Sequence, residues 1–242
     1  MKRNVLVTGS SRGIGLAVAR EFAERGDRVV LNGRIDQAQL DAAVKQLGGA
    51  ADTIGILSDM SDYTQAQDVF REIEGRFGPV DVLVNSAGMD YFGLFSDMKP
   101  EQWRTVIFQN VDTVLNATHL AIPNMVKAKR GVIVNISSIW GTTGASCEAV
   151  YAASKGAVNV FTMSMAQELG PSGVRVCAVA CGAIETRMND RLSREEREDF
   201  AEKIPLMRFG TAEEVGKLVG FLASEDAAYI TGKIIGLDGG MI

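Results

Sequence analysis

The sequence predicts an α/β fold, a single domain over residues 1–242 in which a doubly wound, mostly parallel sheet of about seven strands carries helices on both faces. Three observations predict it. Seven short apolar runs punctuate the chain: "NVLVT", "RVVLN", "TIGIL", "VDVLVN", "GVIVNIS", "VRVCAVA" and "KIIGL". Each of the first six leads into helical sequence, the mark of repeated βαβ units. Within the runs apolar residues are consecutive rather than alternating, as in strands buried on both faces. Finally, 242 residues with 46% hydrophobic content can bury a large core, and no repeat, low-complexity tract or linker divides them.

Composition excludes several function classes. The formal net charge is −5, with no basic run or aromatic-studded basic stripe to follow a phosphate backbone, so nucleic acid is not an expected partner. The apolar run near the start is too short for a signal peptide or a membrane span, which leads us to expect a cytoplasmic enzyme without a membrane partner. Cys147, Cys177 and Cys181 lack CxxC spacing, and His119 is the single histidine, so neither a disulfide scaffold nor a metal site is expected. His119 falls inside one long helical stretch, "WRTVIFQNVDTVLNATHLAIPNMVKA", as an ordinary packed or surface residue.

Each strand end then raises its own expectation, because open α/β sheets bind ligands outside the carboxyl ends of their strands. The first strand runs into "TGSSRGIG", where Gly9, Gly13 and Gly15 permit a tight turn and close approach of a pyrophosphate to a helix N-terminus, as in a Rossmann-type sheet. The second ends at Gly33 and Arg34, where an acidic residue would favour NAD. Arg34 with Arg12 instead suits a 2′-phosphate, so NADPH/NADP+ is expected over NADH. The fourth ends in "NSAG" (Asn85, Ala87, Gly88) and the fifth in "NISSIWG", with Ser138 thirteen residues before Tyr151.

The helix "YAASKGAVNVFTMSMAQEL" sets Tyr151 and Lys155 one above the other and repeats Ala157, Phe161, Met165 and Leu169 every four residues. A second Tyr–Lys pair at the same spacing, Tyr229 and Lys233, is interrupted by Gly232. After the sixth strand, "LSREEREDFAEK" reads as a short helix with a Ser193–Glu196 capping box, within a lid over the pocket at about 185–208. Lys127, Lys129 and Arg130 form a small basic cluster.

These motifs together resemble the short-chain dehydrogenase/reductase family across essentially the whole chain: "TGSSRGIG", "SDMSD", "NSAG", "FQNVDT", "NISSI", "YAASK", "GAIET" and "YITGKIIGLDGG" stand in the family's order. The resemblance implies a catalytic tetrad of Asn110, Ser138, Tyr151 and Lys155. It implies dinucleotide contacts from Gly9, Ser11, Arg12, Gly13, Ile14, Gly15 and Arg34, and from Asp59 and Met60 at the adenine. Asn85, Ala87, Gly88, Tyr151 and Lys155 would follow along the ribose, and Gly182, Ile184 and Thr186 near the carboxamide. A phenol of pKa about 10 is a sluggish proton relay, and Lys155 with an oxidised nicotinamide would lower it. Ser138 would hold the substrate oxygen, and Asn110 would anchor a water beside the lysine. The sequence departs from the family at Ser86, often asparagine, and at Cys181, usually a proline that stiffens the loop.

Within the family, "SRGIG", "YAASKGAV", "GAIETRM" and "YITG" resemble the 3-oxoacyl-acyl-carrier-protein reductases, which implies acyl carrier protein as a partner. "SSIWGTTGASCE" and "YFGLF" are similar to elongation factor P 5-aminopentanone reductases, where Asp90 and Glu148 would face a cationic amine. A hydroxysteroid or other secondary-alcohol dehydrogenase with a pocket of Phe92, Trp140 and Met188 is a third reading, and a dinucleotide sensor is the non-enzyme alternative. The family resemblance also implies a homotetramer with the "YAASK" helix at an interface, where Ala152, Ala153, Gly156 and Ala157 allow close packing.

Overall fold

The computed structural model describes residues 2–48, 52–189 and 192–242, with the backbone alone at Met188. Its seven strands are β1 (Asn4–Val7), β2 (Arg28–Gly33), β3 (Thr53–Leu57), β4 (Val82–Asn85), β5 (Gly131–Ser138), β6 (Val174–Cys181) and β7 (Ile234–Leu237). All pair in parallel in the order β3-β2-β1-β4-β5-β6-β7. Successive side chains of β1 serve opposite faces: Val5 and Val7 join one apolar cluster with Phe22 and Val219, Leu6 another with Ile73 and Met125. That explains why the strand runs are continuously apolar. Strand order reverses between β1 and β4, which opens a crevice beyond their carboxyl ends.

The helices are α1 (Gly13–Glu24), α2 (Gln37–Gln46), α3 (Tyr63–Phe77), α4 (Pro100–Ile107), α5 (Thr113–Ala128), α6 (Trp140–Thr143), α7 (Ala149–Leu169), α8 (Arg194–Glu202) and α9 (Ala212–Leu222). The long helix expected around His119 is instead two, joined by a π turn at Phe108–Asp112. π turns occur mainly as single-turn insertions at functional sites. His119 lies beyond it on α5 and has a partner the sequence did not reveal, the Tyr63 hydroxyl 2.9 Å from Nδ1.

The stripe read on α7 is only partly its buried face: Leu169 is buried and Met165 packs against the same apolar cluster. Ala157 is exposed and Phe161 and Met165 are half-buried, whereas Ser154, Lys155, Val158, Asn159 and Thr162 face the sheet. Beneath them runs a buried amide chain: Asn85 Nδ2 donates to Asn135 Oδ1 at 2.8 Å, and Asn135 Nδ2 to Thr162 Oγ1 at 2.8 Å. The chain of bonds links β4, β5 and α7 and leaves one buried acceptor, Asn85 Oδ1, without a hydrogen-bond partner among the described residues.

The helix α8 has the cap its sequence announced, with Glu196 N donating to Ser193 Oγ at 3.2 Å and Ser193 N to Glu196 Oε2 at 2.8 Å. Arg197 pairs with Glu185 and stacks 5.3 Å from the Phe209 centroid. Asp190 and Arg191, within the expected lid, and the Met188 side chain lie outside the described residues. Lys127, Lys129 and Arg130 sit at the amino end of β5, opposite Ser138, a separation of roughly 20 Å along the strand. No helix among the described residues is long and apolar enough to cross a membrane.

Candidate active site

A cleft of about 580 Å³ opens where the crevice meets α7. The glycine turn forms one wall. Gly9 has φ +63, and a Cβ there would lie 2.6 Å from Ala87 Cα, so the loops after β1 and β4 touch through backbone alone. Gly13 and Ile14 open α1 toward the cleft, Gly15 is buried below them, and Arg12 stands exposed as the α1 N-cap. Across from this turn lie Gly182, Ile184 and Thr186, the Thr186 methyl 3.8 Å from where a Gly13 Cβ would be.

Ser138, Tyr151 and Lys155 occupy the inner end of the same cleft. Strand β5 delivers Ser138 at its last residue, and the first two turns of α7 deliver the other two. Lys155 Nζ lies 5.8 Å from the Tyr151 ring centroid and donates to Ile136 O at 2.9 Å. Burial lowers its pKa to about 8. For Tyr151, burial raises the pKa well above the ordinary phenol value, Ser138 pulls the other way, and the charges of Glu148 and Asp90 add to the rise. Burial is thus the largest influence on the phenol among the chain's own groups, and it favours the protonated form.

Asn110 is wholly buried in the π turn. Its Oδ1 accepts from Met89 N at 2.7 Å, and its Nδ2 donates to Met89 O at 2.8 Å and Ser154 Oγ at 2.9 Å. Ser154 Oγ donates in turn to Tyr151 O at 2.6 Å. The side chain thus clamps the loop after β4 to the helix of Tyr151 and Lys155. Gly88 lies between, where a Cβ would come within 3.1 Å of Asn110 Oδ1 and 3.5 Å of Lys155 Nζ.

Of the other expected residues, Cys181 lines this cleft, whereas Ser11, Arg34, Asp59, Met60 and Asn85 lie outside its lining. Ser11 Oγ donates to Gln39 Oε1 at 3.2 Å, and Arg34 stands exposed with Nη1 3.8 Å from Asp59 Oδ2. Met60 is core, and the Asn85 side chain is buried, its Nδ2 committed to Thr118 and Asn135 while its Oδ1 has no partner among the described residues. Cys181, the proline position, continues β6 to its end, pairing with Ser138 on one side and Leu237 on the other. Burial pushes its thiol up to about 12, the character of an inert packing residue.

Comparison with known proteins follows from this geometry. A family model described as short chain dehydrogenase matches residues 3–197. The chain belongs to the short-chain dehydrogenase family. Among relatives of this dehydrogenase, a 3-oxoacyl-[acyl-carrier-protein] reductase of Thermotoga maritima is 40% identical over 238 residues, covering 98% of this chain and 96% of its own. One from Staphylococcus aureus is 38% identical over 242 residues, covering 100% and 98%. The oxidoreductase YmfI of Bacillus subtilis is 36% identical over 243 residues, covering 99% of each chain. A solved structure presented as a candidate gluconate dehydrogenase of Agrobacterium tumefaciens superposes with a TM-score of 0.94 at 29% identity, covering 99% of this chain and 95% of its own. This dehydrogenase is accordingly an oxidoreductase of a family that uses a nicotinamide dinucleotide.

The residues present fit such a group. The turn after β1 has a left-handed Gly13 open to the cleft and a helix N-terminus behind it, the donor set a pyrophosphate needs. Sequence reasoning missed Gln109 and Ser154 as supports of the site. Ser154 was legible only as the residue before Lys155, and Gln109 as the neighbour of Asn110.

Proposed function

We propose that this dehydrogenase reduces a ketone to a secondary alcohol with NADPH, and that its substrate is a 3-oxoacyl thioester carried on acyl carrier protein. The observation that carries the reading is the meeting of Ser138, Tyr151 and Lys155 with the glycine turn in one cleft. The substrate class rests on the names of the Thermotoga and Staphylococcus relatives.

In this reading Gly9 and Gly13 to Gly15 hold the pyrophosphate, and Arg12 and Arg34 take the 2′-phosphate. Ser11 serves the same turn, and Asp59 with the Met60 backbone takes the adenine. Asn85, Ala87 and Gly88 follow the ribose, and Gly182, Ile184 and Thr186 the carboxamide. A reduced nicotinamide supplies hydride there. Ser138 Oγ donates a hydrogen bond to the ketone oxygen and holds it for Tyr151, whose phenolic proton completes the alcohol. The raised pKa of Tyr151 suits this direction, because the acid form persists across the neutral range. Lys155, charged below about pH 8, steadies the developing phenolate, and Asn110 keeps the loop after β4 and α7 in register.

We place the enzyme in the cytoplasm as a homotetramer. Support comes from the outward side of α7, where Val160 is 60% and Met163 40% exposed beside Ala153 and Ala157. We further propose the segment about 185–208 as a lid, among whose described residues Arg197 pairs with Glu185.

A second reading has its own observation. The carboxylates of Asp90 and Glu148 both raise the pKa of Tyr151, so their field reaches the reacting centre, where it would favour a cationic substrate such as the 5-aminopentanone modification on elongation factor P. NADPH oxidation, with NADH alongside, against acetoacetyl thioester and aminoketone-modified elongation factor P separates the two. Turnover of the thioester supports the first reading, activity on the modified protein alone supports the second, and silence on both refutes the substrate assignment.

A further inference from the structure

The π turn at Phe108–Asp112 adds a residue to one helical turn, and two consecutive side chains reach different loops at the carboxyl edge of the sheet. Asn110 takes the loop after β4, as described. Gln109 takes the loop after β3: its Nε2 donates to Ser61 Oγ at 2.9 Å and reaches Asp59 Oδ2 at 3.4 Å. Ser61 passes the hold on, with N at 3.0 Å and Oγ at 2.6 Å from Asp59 Oδ1. Asn116 fastens the same loop from α5, its Nδ2 donating to Met60 O at 3.1 Å and Ser61 O at 2.9 Å.

This bracing sets a distance that matters. Asp59 Oδ2 stands 3.8 Å from Arg34 Nη1, an ion pair too long for a charge-assisted hydrogen bond, on a surface where both side chains remain partly exposed. An unbraced carboxylate would close on that guanidinium and compete with any phosphate for it. The bracing of Asp59 by Ser61 and Gln109 therefore leaves Arg34 able to turn to an anion.

We infer that Gln109 is a positioning residue for coenzyme choice: through Ser61 it holds Asp59 off Arg34, and so keeps the guanidinium available to the 2′-phosphate that distinguishes NADPH from NADH. The inference rests on the NADPH reading above. Gln109 touches no reacting atom, and its effect belongs in the ratio of coenzyme affinities rather than in turnover.

The test is fluorescence titration of the full chain with NADPH and NADH, for wild type, Gln109→Leu, Arg34→Ala and the double variant. Gln109→Leu is expected to weaken NADPH about 5-fold and NADH less than about 2-fold, a size ordinary for one hydrogen bond between neutral groups. In the Arg34→Ala background the same change is expected to alter neither affinity, since the guanidinium it protects is gone. Ser61→Ala, which removes only the relaying hydroxyl, should reproduce the pattern and keeps the test usable should Gln109→Leu fold poorly. Equal weakening of both coenzymes, or an undiminished effect without Arg34, overturns the inference while leaving the NADPH reading standing. A wild-type chain that does not prefer NADPH overturns both.

Discussion

Replacing Lys155 with methionine is expected to abolish activity and yet stabilise the coenzyme-free protein at neutral pH. Lys155 is 6% exposed, and burial lowers its pKa from 10.5 to about 8. At pH 7 the lysine is charged in both folded and unfolded chains, and holding that charge in the fold costs about 3 kcal/mol relative to a neutral side chain. Methionine removes the charge at similar length but also the 2.9 Å bond to Ile136 O, whose loss costs about 1–2 kcal/mol. The net expectation is a gain of about 1–2 kcal/mol, or roughly 3–6 °C in Tm for a chain of this size.

The sign is checked by pH. A lysine with a depressed pKa destabilises fully below its folded value of about 8, and the penalty fades as pH rises toward 10.5. Urea unfolding at pH 7 and 9.5 should therefore show the advantage of Lys155→Met shrinking by about 2 kcal/mol at the higher pH. A variant less stable than wild type at pH 7, or a gap that ignores pH, would refute the burial argument.

Two further outcomes follow from the same geometry. Reductase activity, followed as kcat/KM, is expected to fall as pH rises through about 8, where Lys155 loses its charge, and Lys155→Arg should move that limb upward by more than a pH unit; an unmoved limb assigns it to another group. Gly9→Ala, which puts a Cβ 2.6 Å from Ala87 Cα at φ +63, should lower stability by about 2–4 kcal/mol in a thermal scan and abolish dinucleotide binding.

Much of this molecule was legible in its residues. The strand runs announced the sheet because strands buried on both faces leave no room for polar alternation, and Ser193 with Glu196 announced α8 because a reciprocal cap is a local event. Helix geometry stacks Tyr151 and Lys155 but by itself does not single them out from other pairs at that spacing; they were legible because "YAASK" stands in the order of the family's motifs. The π turn was not, since nothing in "VIFQNVDT" breaks helical periodicity; it is imposed by what Asn110 and Gln109 grip on other segments. Nor was the polar part of the buried face of α7, where Asn159 and Thr162 are satisfied by residues of β5 far away in sequence. The rise in the Tyr151 pKa escaped for the same reason, because burial is a property of the packed cleft rather than of the Tyr–Lys spacing.

The central claim, that Tyr151 delivers a proton to a carbonyl held by Ser138, is tested most directly by NADPH oxidation with acetoacetyl thioester in wild type and Tyr151→Phe, with coenzyme affinity measured on both. The account predicts a loss in kcat of about 10²–10⁴-fold with NADPH binding nearly unchanged. A Tyr151→Phe enzyme that keeps wild-type turnover would contradict it.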